Sequence, residues 1–455
     1  MKHLHFIAIG GAAMHNLAIA LSKKPNYIVT GSDDEIFEPS KSHLKANGLL
    51  PDAWGWNPEK ITKDIDAVIV GMHAKADNPE LLRAKELGID IFSFPEYLYQ
   101  QTQKKTRIVV GGSHGKTTTT AIILHVLHKR NMAVDFMVGA QLEGFDTMVK
   151  LSYDAPIAVF EGDEYLTSPL DPRPKFHLYH PHIAVLTGIA WDHINVFPTF
   201  ETYVAQFKKF ADLIEREGRL IYFEKDEQLQ NIVDNLRPDI VAIPYQTPEY
   251  EITNGITSII HKGIKYPLLI FGEHNLQNIA AAWFVCKQLG VNENDFYTAL
   301  QDFKGASNRL QKIVKSPDAI AYKDFAHSPS KLKATVNAVK QQFPDKELIA
   351  CMELHTYSSL RSDFLPHYKH CMQEADEAFV YFNPEVIEHK HLAQISEDEI
   401  TKAFGGENVH VYSNSSELQE KLRQINFHNK VLLFMTSGNF SGIDLEAFAK
   451  ELLKQ

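Results

Sequence analysis

Short apolar runs alternate with longer stretches of helical period along this chain. In the first hundred or so positions Phe6–Ile9, Tyr27–Thr30, Ala67–Val70 and Ile89–Phe92 read as strands, with helix-length segments between them. Runs apolar at nearly every position, rather than at every second one, suit strands buried on both faces, so the expected sheet is parallel and covered by helices. A polar stretch from Gln100 to Thr106 then reads as an exposed linker. The pattern resumes with Arg107–Val110, Pro156–Phe160 and Ile183–Thr187, and again with Leu348–Met352, Ala378–Tyr381, Val409–Tyr412 and Val431–Met435. The fold class expected is therefore α/β in three blocks, residues 1–101, 102–306 and 307–455. At roughly 100–200 residues per domain the chain length agrees. No internal repeat or low-complexity tract connects the blocks.

Composition narrows the function. Hydrophobic residues make up 44%, enough to build buried cores and too many for a disordered chain. A formal net charge of -11 argues against a nucleic-acid footprint, though it leaves room for a local basic pocket. Cys286, Cys351 and Cys371 have no metal-ligand spacing, and their odd number fits reduced thiols in the cytoplasm. The apolar start at Lys2 to Leu21 is broken by His5, Gly10-Gly11, His15 and Asn16, so it reads as strand, turn and helix rather than a signal peptide. No run reaches the ~18 apolar residues of a membrane span.

The strongest chemistry follows the strand Arg107–Val110. Gly112-Ser113-His114-Gly115 forms a glycine turn, and Lys116-Thr117-Thr118 opens a helix. Amides at a helix N-terminus attract anions, a lysine there neutralises phosphate, and a hydroxyl can bind Mg²⁺. The longer Walker spacing would need glycine where Val110 stands, so the motif is short by one glycine. Glu161, with Asp163 and Glu164 behind it, ends the next strand and is the leading Mg²⁺ candidate. Asp192-His193 follows a third strand; alone, such a histidine is more often a surface or hydrogen-bonded residue. His274, Asn275 and Asn278, read as preceding a helix that starts near Ile279, offer an adenine pocket, the plainer alternative being helix capping by Asn275. In the first block Gly10-Gly11-Ala12 suits a diphosphate and Ser32-Asp33 a ribose. The dinucleotide spacing is incomplete, and a ligand-free turn is the alternative.

These motifs together, with Asn308-Arg309 and Asp324-Phe325-Ala326-His327-x-Pro329, resemble the Mur ligases of peptidoglycan synthesis in order and spacing over almost the whole chain. The resemblance implies a Rossmann-like UDP-sugar domain, a central P-loop ATPase domain and a Rossmann-like acceptor domain. It implies ATP and Mg²⁺ as cofactors. Gly112, Ser113, His114, Gly115, Lys116, Thr117 and Thr118 would hold the ATP phosphates, and His274, Asn275 and Asn278 the adenine. Arg309 and Asp324 would reach ATP when the third domain closes. Thr117, Glu161 and His193 would hold metal, with Lys116, His193 and Arg309 as the catalytic set. Gly10, Gly11, Ala12, Ser32, Asp33, His73, His114, His327 and His355 would bind the substrates. Other branches carry a carbamylated lysine near the position of Phe207, and no such modification is expected here.

Within the family the chain resembles the branch that uses UDP-N-acetylmuramate. That branch adds either free L-alanine or the recycled peptide L-Ala-γ-D-Glu-meso-diaminopimelate. Asp171-x-Arg173-x-Lys175-Phe176-x-x-Tyr179-x-Pro181, Ile36-Phe37-Glu38-Pro39-Ser40 and Met435 to Ile443 resemble the peptide-adding form. In Glu353-Leu354-His355-Thr356-Tyr357, Glu353 resembles the peptide form while His355 and Tyr357 resemble the alanine form. The expected reaction makes an acyl phosphate on the lactyl carboxylate and resolves it with the acceptor amine. The expected partners are these small molecules, with no nucleic acid or membrane, and a monomer or weak homodimer. A P-loop kinase or ATPase and a non-catalytic UDP-sugar sensor are the rival readings.

Overall fold

The computed structural model describes residues 1–72, 74–168 and 170–454. Its contacts divide the chain into two compact units, one of Met1–Ile189, Phe200–Gln246 and Ala281–Asp295, the other of Ala190–Thr199, Thr247–Ala280 and Phe296–Gln455.

The first unit contains two main sheets. β1 (Lys2–Ile7), β2 (Tyr27–Ser32), β3 (Ala67–Val70) and β4 (Asp90–Ser93) form a parallel sheet in the order β2-β1-β3-β4. β5 (Thr106–Gly111), β6 (Val134–Met137), β7 (Val149–Lys150) and β8 (Ile157–Glu161) join β11 (Ile183–Leu186), β12 (Arg219–Phe223) and β13 (Val241–Tyr245) in a seven-stranded sheet ordered β13-β12-β11-β5-β8-β6-β7. That sheet is parallel except at its β6–β7 edge. β9 (Leu166–Ser168) and β10 (Asp171–Pro174) make a small antiparallel pair.

The second unit holds an antiparallel sheet of β14 (Tyr250–Thr253), β15 (Ile256–His261) and β16 (Ile264–Pro267). β17 (Gln311–Lys315), β18 (Ile320–Asp324), β19 (Glu347–Leu354), β20 (Glu377–Phe382), β21 (Val409–Tyr412) and β22 (Lys430–Met435) form a six-stranded sheet ordered β17-β18-β22-β19-β20-β21. β17 is antiparallel to β18 and the remaining pairs are parallel. Among the described residues no helix is long and apolar enough to cross a membrane.

The register of the seven-stranded sheet positions the chemistry. Val110 pairs with Glu161 and Gly111 with Leu186, so the ends of β5, β8 and β11 lie level on one edge. Such an edge, at the C-terminal ends of parallel strands, is where α/β folds place ligands. Ile108, Val109 and Val110 are fully buried, as strands covered on both faces must be. Gly111 is closely packed: a Cβ there would sit 3.2 Å from both Leu186 and Phe176.

Three expectations from the sequence need correction. The stretch Gln100 to Thr106 is only partly an exposed linker: Gln100, Gln103, Lys104 and Thr106 are exposed, but Thr102 and Lys105 are buried. Lys105 pairs with Asp135 at 2.5 Å, and Arg107, buried at the start of β5, gathers the segment around itself. Its guanidinium donates to the carbonyls of Thr102 (3.1 Å), Gln103 (2.9 Å) and Tyr179 (2.9 Å) and pairs with Glu215 at 2.7 Å. A buried guanidinium needs several acceptors, and backbone carbonyls of an irregular segment supply them. The first strand ends at Ile7 rather than Ile9, because Ala8 turns to φ +64 and the amides of Ala8 and Ile9 both donate to the Ser32 carbonyl. The helix expected near Ile279 begins at Glu273, so His274, Asn275 and Asn278 lie on it. Asn275 is inside the first turn with its amide donating to the Phe271 carbonyl, which rules out the capping role.

His177 packs under the β5 edge beside Phe176, which stacks on Phe210 at 4.5 Å. Its Nε2–H donates to the Gln206 carbonyl at 2.8 Å, and its Nδ1 is buried without a partner among the described residues. Burial lowers its pKa from 6.5 to about 4. The unfolded chain therefore takes up a proton first as the pH falls, so the stability from this group is complete above pH 6.5 and is lost between there and pH 4. Urea unfolding of wild type and His177→Gln at pH 7.5 and pH 5 should show the variant losing about 2 kcal/mol less across that interval. Equal losses in both proteins contradict a buried neutral His177.

Candidate functional site

The glycine loop after β5 is shaped by its surroundings. Gly112 lies at φ +131, and a Cβ there would fall 2.1 Å from the Thr187 hydroxyl oxygen, so only glycine fits. The Ser113 amide donates to the Gly188 carbonyl at 3.0 Å, and the Thr187 hydroxyl donates to the His114 carbonyl. The His114 ring lies over Gly188, whose own Cβ would come 2.9 Å from His114 Cε1. Gly115, at φ +78, opens the helix Lys116–Lys129, and no side chain caps its first turn. Thr118, Thr119 and Thr120 turn inward and are buried. A helix N-terminus at the sheet edge is the kind of place where backbone amides and the helix dipole favour an anion.

Lys116 is the cation of that site. Its ammonium donates to the Gly112 carbonyl at 2.6 Å and to Glu164 at 2.6 Å. Burial alone would drive the ammonium towards neutrality; Glu164, Asp163 and Glu161 outweigh it and hold the Lys116 pKa above the usual lysine range. The Tyr203 hydroxyl donates to the second oxygen of Glu164 at 3.0 Å and meets Ser113 Oγ at 2.9 Å. Glu161, at the end of β8, accepts from the Thr117 hydroxyl at 2.8 Å and from the Gly139 amide at 2.7 Å. Thr117 and Glu161 thus place a hydroxyl and a carboxylate oxygen together, the hard donor pair that Mg²⁺ prefers. Asp163 is neutralised by Lys175 at 2.6 Å.

The residues expected to bind a UDP-sugar cluster in the β1–β2 region. The Gly10 amide donates to Asp33 at 2.7 Å, and a Cβ on Gly10 would meet Ile36 at 2.8 Å and Asp33 at 2.9 Å. Asp33 is buried, and burial raises its pKa. Gly11 and Ala12 stand at the start of the helix Ala12–Ser22, while the Ser32 hydroxyl accepts from Lys60 at 3.2 Å. His73 lies outside the described residues.

The second unit carries the other expected residues. Asn278 and Asn275 face each other on the helix Glu273–Gln288, and burial lowers the His274 pKa against the pull of Asp324. Asp324 is itself buried, and its oxygens accept from the Leu310 amide (3.0 Å), the Phe325 amide (2.9 Å) and the Thr335 hydroxyl (2.6 Å). These bonds fix the turn that carries Arg309, whose guanidinium lies 4.7 Å from the Phe325 ring centre. His193, at φ +55, and Asp192 belong to this unit, with Lys331 3.3 Å from Asp192. Burial, with Lys331 beside it, lowers the His327 pKa to about 3, and its Nδ1 meets the Phe325 carbonyl at 3.0 Å. His355 stands 3.8 Å from the buried Glu353, at the end of β19.

Sequence reasoning missed Tyr203, Lys175 and Gly139 as partners of Glu164, Asp163 and Glu161 at the candidate site. Tyr203 falls on the apolar face of the helix Phe200–Asp212 and reads as a core aromatic, so only its hydroxyl's position reveals it. A Gly112→Ala substitution tests the loop. The added methyl forces the Thr187 contact apart and reshapes the amide cradle, and nucleotide affinity should fall by at least ~10-fold, which corresponds to about 1.4 kcal/mol. Titration with a fluorescent ADP analogue measures it, and unchanged affinity would show that this loop does not hold phosphate.

Three family models together cover most of the chain: Mur ligase family, catalytic domain, at residues 3–106; Mur ligase middle domain, at 110–286; and Mur ligase, glutamate ligase domain, at 308–438. A UDP-N-acetylmuramate–L-alanine ligase of Carboxydothermus hydrogenoformans is 32% identical, over 79% of this chain and 77% of its own. The fold is similar to that of a UDP-N-acetylmuramate–alanine ligase from Thermotoga maritima, with TM-score 0.72 and 20% identity over 100% of this chain and 99% of that one. A UDP-N-acetylmuramate:L-alanyl-γ-D-glutamyl-meso-diaminopimelate ligase from Neisseria meningitides is similar with TM-score 0.60 and 26% identity, over 67% of this chain and 98% of that one. The chain belongs to the Mur ligase family and is an ATP-dependent ligase of that three-domain α/β architecture.

Proposed function

We propose that this ligase joins the lactyl carboxylate of UDP-N-acetylmuramate to the α-amine of L-Ala-γ-D-Glu-meso-diaminopimelate. The observation that carries the carboxylate-activating step is the Lys116 ammonium on Glu164 beside the Thr117–Glu161 pair, at the N-terminus of the helix Lys116–Lys129. The lactyl oxygen attacks the γ-phosphorus of ATP, ADP departs, and an acyl phosphate forms. The acceptor amine then attacks the acyl carbon, loses a proton and expels phosphate, leaving an amide. Lys116 and the loop amides of Gly112, Ser113, His114 and Gly115 take up charge that develops on the transferred phosphoryl group. Thr117 and Glu161, with His193 from the family resemblance, would hold Mg²⁺, which supplies Lewis-acid polarisation of the phosphoryl oxygens.

The remaining roles follow the same resemblance. His274, Asn275 and Asn278 bind adenine, Arg309 and Asp324 serve ATP, and Gly10, Gly11, Ala12, Ser32 and Asp33 serve the UDP-sugar. His114, His327 and His355 act toward the substrates, and the domains divide at 101/102 and 306/307. The reaction takes place in the cytoplasm, in keeping with three free, buried cysteines. The peptide acceptor is supported by the segments at 36–40, 171–181 and 435–443 and by Glu353. Free L-alanine is the second reading, and the name of the 32%-identical relative favours it over the peptide.

Phosphate release with ATP, Mg²⁺ and UDP-N-acetylmuramate, compared between L-alanine and the tripeptide, separates the two. The proposal expects kcat/KM to be higher for the tripeptide by at least ~10-fold. Preference for L-alanine replaces the acceptor and leaves the activation step standing, whereas no release with either amine removes the UDP-N-acetylmuramate assignment. In the same assay Arg309→Ala should lower kcat/KM by ~100-fold, the scale of losing one charge-stabilising donor. Full activity in that variant contradicts a role for Arg309 at ATP.

A further inference from the structure

Tyr203 is fully buried on the helix Phe200–Asp212, and its ring is fixed edge-on against Phe207 at 5.1 Å and 76°. Phe207 in turn stands edge-on to Phe176. This aromatic wall aims one hydroxyl at the phosphate loop. A tyrosine has a single hydroxyl proton, and an ionised carboxylate can only accept. The proton of Tyr203 therefore goes to Glu164 Oε1, and Ser113 must be the donor in its 2.9 Å contact with Tyr203. A directed chain results, from Ser113 to Tyr203 to Glu164, met from the other side by Lys116, which also holds the Gly112 carbonyl. The chain starts and ends on the same loop and the helix it opens.

We propose that Tyr203 is a positioning residue for the ligase reaction: by sharing the charge of Glu164 it loosens that carboxylate's hold on Lys116, so that the lysine can pass to the nucleotide phosphates. The inference rests on the assignment of Lys116 to those phosphates. Without the hydroxyl, Glu164 draws Lys116 more strongly, and Ser113 loses its bond to Tyr203. The lysine is then held away from ATP by the acid that otherwise only stores it.

Full-length wild type, Tyr203→Phe, Glu164→Gln and the double variant provide the test, through steady-state phosphate release with varied ATP. Tyr203→Phe should raise the KM for ATP by ~10-fold, the scale of one charge-assisted hydrogen bond, while kcat changes by less than ~3-fold. In the Glu164→Gln background the same substitution should move KM by less than ~2-fold, because the charge it shares is gone. A purely structural tyrosine would give the same loss in both backgrounds and would lower kcat and melting temperature together. A wild-type KM in Tyr203→Phe, or an undiminished effect in the Glu164→Gln background, overturns the proposal. If Glu164→Gln does not turn over, calorimetric binding of ADP to the four proteins gives the same cycle with the same outcomes. A Lys116→Ala variant that keeps wild-type ATP use would instead remove the assignment beneath it, whereas loss of ATP use there with no effect of Tyr203→Phe defeats this inference alone.

Discussion

An ammonium group out of bulk water beside three carboxylates is the constraint on which the proposed phosphate site depends. An unpaired buried charge costs several kcal/mol, so Lys116 can occupy its place only because Glu164, Asp163 and Glu161 surround it. The acids in turn need partners, and the nearby chain supplies them: Tyr203 for Glu164, Lys175 for Asp163, and Thr117 with the Gly139 amide for Glu161. Each bond ties one more segment to the start of the helix Lys116–Lys129. The result is a helix terminus tied to the end of β8 and to a neighbouring helix, with Lys116 at its first position.

The parallel sheet makes that arrangement inexpensive in conformational terms. Because β5, β8 and β11 end level, the glycine loop, Glu161 and Thr187 reach the same edge with little irregular backbone between them. Arg107 secures the other end of β5 by binding the carbonyls that would otherwise be buried without donors. Phe207 stands near the position where other family branches place a carbamylated lysine. Here it is buried between Tyr203 and Phe176, an apolar setting that supports an aromatic wall.

The strands and the loop were legible in the sequence because buried parallel strands leave unbroken apolar runs, and a glycine turn followed by Lys-Thr has few other uses. Glu161 was legible for the same reason, as an acid at the end of such a run. What stayed hidden depends on tertiary neighbours. Arg107, Thr102 and Lys105 look like surface composition, and only the carbonyls that converge on Arg107 and the pairing of Lys105 with Asp135 explain their burial. Tyr203 has the spacing of a core residue, and nothing in one sequence marks its hydroxyl. The helix at Glu273 starts earlier than expected because Gly272, at φ +93, ends the preceding segment and the polar residues that follow it fit a first turn. The acceptor is the least legible part, since Glu353 and His355 lie side by side at the end of β19 and resemble different branches.

The central claim is that the charge gathered around Lys116 serves to phosphorylate a carboxylate, so that an amide forms from an acyl phosphate. UDP-N-acetylmuramate labelled with ¹⁸O in its lactyl carboxylate tests this directly during turnover with ATP and the acceptor. The account predicts that one labelled oxygen per amide formed appears in the released inorganic phosphate, as mass spectrometry of that phosphate would show. Amide formation with wholly unlabelled phosphate would contradict it.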